Sequence, residues 1–106
     1  MQESRKTEIR EIRTEDHDAL IALWHRVFED PEELAVAFLH LLPEMGSGVA
    51  AFADGQLAGA AYIVTGLTVG EKRAAYLYAV AVDPEFRGLG LGMALTREAA
   101  ALGRML

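Results

Sequence analysis

The chain has no cysteine, a single tryptophan and three prolines among its 106 residues. Without cysteine, disulfides, thiolate metal sites and cysteine nucleophiles are excluded. No apolar run approaches the roughly 20 residues that cross a bilayer as a helix. Met1-Gln2-Glu3-Ser4-Arg5-Lys6 has no apolar stretch behind it of the kind a secretory signal carries. A cytoplasmic protein with no membrane partner is the default expectation. Basic residues are also few, ten Lys and Arg against sixteen Asp and Glu, a formal net charge of −6. That balance opposes nucleic-acid binding through a broad basic face. It is compatible with a cationic amine as ligand. No repeat, low-complexity stretch or linker interrupts the chain, and 52% of it is hydrophobic. Residues 1–106 therefore read as one domain with a modest core.

What is present is a glycine-rich turn, Arg87-Gly88-Leu89-Gly90-Leu91-Gly92. A strand-type run, Tyr76-Leu77-Tyr78-Ala79-Val80-Ala81-Val82, leads into it, and a helix-type run, Met93 to Ala100, follows. With side chains nearly absent, backbone N–H groups can approach a ligand closely. Those donors lie at a helix N-terminus, where the first N–H groups lack partners and the dipole favours negative charge. Arg87 adds a forked cation. The expected guest is a phosphate or pyrophosphate. A P-loop would need Lys and then Ser or Thr after its last glycine, but Met93 and Ala94 follow Gly92. The dinucleotide fingerprint, counted from Gly88 and Gly90, would need glycine where Met93 stands.

Along the chain, Glu8 to Arg13 alternates as a short strand. Thr14 is the expected N-cap of a helix with Leu20, Leu23, Trp24, Val27 and Phe28 on one face, ending near Glu29. A second helix is expected from Asp30-Pro31-Glu32-Glu33, with Asp30 as its cap, a stripe of Leu34, Phe38, Leu41 and Leu42, and its end at Pro43. Gly48 to Ala53 and Leu57 to Thr68 read as strands joined at the hairpin signal Asp54-Gly55. After a turn at residues 69–72 comes the strand Arg73 to Val82. Simple alternation puts Tyr76, Tyr78, Val80 and Val82 on one face and Leu77, Ala79 and Ala81 on the other, so both faces should be buried under helices. A last helix runs from about Gly90 to Gly103. The expected fold is α/β (α+β), in the order β-α-α-β-β-β-α, a mostly antiparallel sheet with helices on both faces.

The string Val80-Ala81-Val82-Asp83-Pro84-Glu85-Phe86-Arg87-Gly88-Leu89-Gly90-Leu91-Gly92 closely resembles the acetyl-CoA-binding motif of the GNAT superfamily of N-acetyltransferases. Glu8 to Asp16 resembles the family's first strand and the start of its first helix. The resemblance covers the N-terminal part of that fold; the later strands and helix of the family have no counterpart here. It implies transfer of an acetyl group from acetyl-CoA to an amine of a small molecule or peptide, with no metal. It implies that the backbone of Val80, Ala81 and Val82 pairs with the pantetheine arm. The amides from Gly88 through Leu89, Gly90 and Leu91 to Gly92, together with Arg87, would hold the pyrophosphate. A backbone N–H near Val80 would polarise the acyl carbonyl.

No residue is assigned as general base or acid. Some family members carry a glutamate on the strand before the loop, but no carboxylate lies between Arg73 and Asp83. Tyr76 and Tyr78 read either as acyl-pocket walls or as core. Glu29-Asp30-Pro31-Glu32-Glu33 reads as a helix start or as an amine-recognising cluster. His17, His25 and His40 have no metal-ligand pattern, and Gly46-Ser47-Gly48 lacks the spacing of a nucleophile elbow. The alternative to an enzyme is a non-catalytic CoA-binding or regulatory module of the same fold. Tyr76 to Val82 also lacks Lys and Pro, so an unpaired edge there would favour a homodimer or higher homo-oligomer.

Overall fold

A computed structural model describes residues 6–106. Its elements are β1 (Thr7–Glu11), α1 (His17–Phe28), α2 (Glu32–Met45), β2 (Gly46–Ala53), β3 (Gln56–Val69), β4 (Lys72–Val82) and α3 (Leu91–Met105). Short 3-10 turns, Thr14–Asp16 and Pro84–Phe86, precede α1 and α3. The strands form one antiparallel sheet in the order β1-β2-β3-β4. The expected order of elements is the observed one. The β2–β3 hairpin turns at Asp54 and Gly55, with φ of 50° and 81°, as a two-residue turn with both central residues left-handed requires.

The sheet is covered on both faces. On one, Leu20, Leu23 and Trp24 of α1 and Ala35, Leu39 and Leu42 of α2 pack on Ala60, Tyr62 and Ala81. On the other, Leu91, Leu95 and Ala99 of α3 pack on Val49, Ala51, Ala58, Ala61 and Ile63, with Val80 and Val82 partly buried beside them. Leu20, Leu23, Leu39 and Leu95 are among the largest fully buried side chains. Each contributes about 1.5–3 kcal/mol.

Several local expectations are corrected. Thr14 does not cap α1. It opens the 3-10 turn, and Asp16 stands at the N-cap position of α1 without a side-chain cap bond: its Oδ2 accepts the Arg13 N–H across that turn at 2.7 Å, and its carboxylate pairs with both terminal nitrogens of Arg10 at 2.8 Å. Asp30 does not cap α2, because its Oδ2 accepts the Trp24 Nε1–H at 3.1 Å. The buried row of α2 is Ala35, Leu39 and Leu42, while Leu34 and Leu41 are exposed. Both rows have helical spacing, and the one containing alanine lets α2 lie closest to its neighbours. The helix also runs through Pro43 to Met45; one intrahelical bond is lost, and the Gly46 N–H to Leu42 O bond closes the end.

The expectation that β4 is buried on both faces also fails. Tyr76, Leu77 and Tyr78 are exposed, whereas Ala81 further along the same strand is buried; β4 pairs only with β3 and is a sheet edge among the described residues. Its faces do not alternate simply either. The register passes from Tyr62↔Ala79 to Ile63↔Leu77, leaving Tyr78 as an extra residue, a β-bulge. Before the bulge, Leu77 and Ala75 lie on the α3 side. Beyond it, Val80 and Val82 lie on that side, and Ala79 and Ala81 face α1 and α2. Tyr78 faces α1 and α2 as well, against Trp24 and Phe38.

Candidate functional site

The end of β4 and the start of α3 are held by Asp83. It is buried, and its Oδ1 accepts the Glu85 N–H at 3.0 Å, which caps the Pro84–Phe86 turn. Its Oδ2 accepts from Nε and one terminal nitrogen of Arg26 on α1, at 3.1 and 2.7 Å. Phe86 is buried and pins the turn. The chain then rises to the surface: Arg87, Gly88, Leu89 and Gly90 are exposed. Gly88 and Gly90 have φ of 89° and 74°, a region that L side chains rarely adopt. A Cβ at either glycine would meet nothing within 4 Å, so open space lies over the loop. Leu91, buried, returns the chain to the core as the first residue of α3.

The first intrahelical bond of α3 is Ala94 N–H to Gly90 O, at 3.1 Å. The amides of Leu91, Gly92 and Met93 therefore have no intrahelical acceptor. Gly92 differs from the other two glycines: a Cβ there would touch Val82 Cγ2 at 3.9 Å. Arg87 is exposed and makes no ion pair among the described residues. The loop is thus an electropositive turn of unpaired donors with a free cation beside it, suited to an anion.

Along β4, the Asp83 N–H donates to Ala58 O at 2.8 Å. With the register Ala60↔Ala81 and Gly59↔Val82, Ala81 is a hydrogen-bonded position facing β3. Val80 and Val82 then turn their N–H and C=O groups outward to the free edge. The sequence singles out Val80, Ala81 and Val82 together; the structure separates Ala81 from the two valines. Val80, Val82 and the glycine loop form one continuous edge.

Beside that edge, on the α1/α2 face, lies an aromatic group. Tyr78 stacks on Phe38 with centroids 4.8 Å apart and planes at 20°, and on Trp24 at 6.4 Å and 27°. Trp24 also meets Phe28 and Tyr62, at 5.4 and 5.5 Å. Trp24 and Tyr62 are buried, whereas Tyr78 is 48% exposed. Burial pushes the Tyr62 hydroxyl well above its ordinary pKa, so it keeps its proton. Arg10 beside Asp16 holds that carboxyl below the usual carboxylate range.

The histidines are placed apart. His25 Nδ1–H donates to Asp30 O at 3.0 Å, closing the α1–α2 junction. No cluster of metal-ligating side chains occurs among the described residues. The Arg26–Asp83 tie and the bulge at Tyr78 are not evident in the sequence. The first joins residues 57 apart, and the second depends on how β4 pairs with β3.

A free strand edge that runs into a left-handed glycine loop at a helix start, on a sheet covered on both faces, marks an α/β protein with backbone donors open along one line. The chain belongs to the GNAT acetyltransferase family: the family model for the acetyltransferase (GNAT) domain matches residues 8–104. Among solved structures, it is similar to a GNAT family acetyltransferase from Brucella melitensis in complex with acetyl-CoA, at 22% identity and a TM-score of 0.76, over 93% of this chain and 69% of that one. It is similar to the aminoglycoside N-acetyltransferase AAC(6')-Iy in complex with CoA, at 18% identity and a TM-score of 0.82, over 98% and 73%. It is also similar to the GNAT family N-acetyltransferase YhbS from Escherichia coli in complex with CoA, at 24% identity and a TM-score of 0.80, over 99% and 61%. At these identities the likeness is one of fold. Comparison with curated protein sequences finds no match.

Proposed function

We propose that this chain binds acetyl-CoA along the β4 edge and serves N-acetyl transfer to the amine of a small molecule or peptide, in the cytoplasm. The carrying observation is the run of unpaired donors from Val80 and Val82 into the left-handed glycine loop. Val80 and Val82 offer the pantetheine amides a strand to pair with. The amides of Gly88 to Gly92 and the Arg87 guanidinium receive the pyrophosphate, in the open space above Gly88 and Gly90. The Val80 N–H, at the free edge, donates to the acyl carbonyl and favours negative charge on its oxygen. In the reaction the amine nitrogen bonds to the acetyl carbon, the carbon–sulfur bond breaks with its electron pair going to sulfur, and the CoA thiolate takes a proton from water to leave as the thiol. The amine gives up its proton to water, since β4 carries no carboxylate between Arg73 and Asp83.

Calorimetric titration with CoA tests the reading. Gly90→Glu places a carboxylate over the loop and should abolish binding. Gly90→Ala carries the same left-handed strain, about 1–2 kcal/mol, without the charge, and should bind measurably. Equal CoA affinity in wild type and Gly90→Glu would refute the site.

A further inference from the structure

The acceptor side of this edge has a character of its own. α3 and the glycine loop occupy one face of β4, so an acceptor reaches the Val80 N–H from the face that carries α1 and α2. There the bulge places Tyr78 two residues before Val80, about 7 Å along the strand. Its ring is stacked on Phe38, 20° from parallel, and backed by the buried Trp24, yet 48% of the residue stays exposed. One turn to either side of Phe38, Leu34 and Leu41 are 49% and 46% exposed. A flat, preorganised apolar surface therefore borders the edge, and β4 offers no carboxylate beside it.

We propose that the exposed face of Tyr78 is the acceptor platform, and that it selects a primary amine carried on a flat apolar body, an arylalkylamine, over a polyamino sugar. The inference rests on the acetyl-CoA reading of the same edge. A planar hydrocarbon gains area and offset stacking on an aromatic face. An ammonium is also drawn to aromatic faces and to a chain of net charge −6. A polycationic, heavily hydroxylated sugar would leave many of its polar groups without partners on this surface.

The chain has one tryptophan, and its ring lies 6.4 Å from that of Tyr78, so Trp24 emission reports on the platform directly. Phenethylamine, butylamine and kanamycin are titrated against the full chain, with and without saturating CoA, and CoA binding is measured separately by calorimetry. Phenethylamine should change the emission at concentrations about tenfold below those needed for butylamine or kanamycin. Tyr78→Ala should weaken that response about tenfold and leave CoA affinity unchanged, and Tyr78→Phe should restore it. CoA binding with no preference for phenethylamine, or a preference that survives in Tyr78→Ala, overturns the platform. A Tyr78-dependent preference in protein that binds no CoA keeps the platform and overturns the acetyl-CoA reading instead.

Discussion

Removing Asp83 should cost stability and CoA affinity together, and the cost can be worked from its contacts. Asp83→Ala deletes the acceptor of the Glu85 N–H, a cap of about 1 kcal/mol. It also deletes the partner of Arg26. That side chain is 49% exposed against 10% for Asp83, so solvent screens the pair and we assign it about 1 kcal/mol. The sum is about 2 kcal/mol, or about 8 °C in midpoint for a chain of this size. Asp83→Asn keeps an oxygen for the Glu85 N–H and should lose about half as much. Arg26→Ala is not equivalent, because it leaves a buried carboxylate with a single donor, and it should cost about 1.5 kcal/mol. The double variant should be no worse than Asp83→Ala alone, since the freed guanidinium is already at the surface. Thermal unfolding by circular dichroism gives the four corners of the cycle, and calorimetry with CoA gives the effect on the loop. Additive costs, with the double variant near 3.5 kcal/mol (the two single costs taken together), would show that the two residues act separately and that the tie does not position the loop.

Asp16 should make the fold acid-sensitive. Its folded pKa is lowered by the Arg10 pair, so its contribution is present above the unfolded carboxylate pKa and is lost as pH falls through the folded value. Asp16→Asn should be less stable than wild type at pH 7, and the gap should close in acid; an unchanged gap by chemical denaturation at both pH values would contradict this. Gly59→Ala would bring a Cβ to 2.8 Å from Ala81 O and 2.9 Å from Leu95 Cδ1, so it should destabilise by about 1–3 kcal/mol and weaken CoA binding by displacing β4; a neutral effect on the unfolding midpoint would argue against that spacing. We also expect homo-oligomers through the free β4 edge, in competition with CoA. Light scattering at micromolar protein should show a mass that falls as CoA is added, and a monomer throughout would refute it.

The order of the elements is legible because each carries its own local signal. Asp54-Gly55 turns a hairpin by backbone preference alone, and Leu20, Leu23 and Trp24 mark a helix face by spacing. The glycine turn announces the β4–α3 junction for the same reason. What the sequence hides is set by contacts distant along the chain. Asp30 looks like a helix cap until Trp24 folds over to use its oxygen. Leu34, Phe38 and Leu41 have the same period as Ala35, Leu39 and Leu42, and only the need for close approach chooses the row with alanine. At the site, nothing local says that Ala81 faces β3 while Val80 and Val82 face out; that follows from the pairing register.

The extra residue at Tyr78 divides β4 into two half-strands that count their faces in opposite parity. Odd-numbered positions point toward α3 before it and toward α1 and α2 after it. The α3 side therefore receives Ala75, Leu77, Val80 and Val82, and the α1 and α2 side receives Tyr78, Ala79 and Ala81. Losing the extra residue at the bulge would leave a regular ladder, because Leu77 and Ala79 already face opposite sides, and would cost only the Tyr78 ring on the α1 and α2 face. The bulge thus adds one side chain to the α1 and α2 face without turning any other residue of β4.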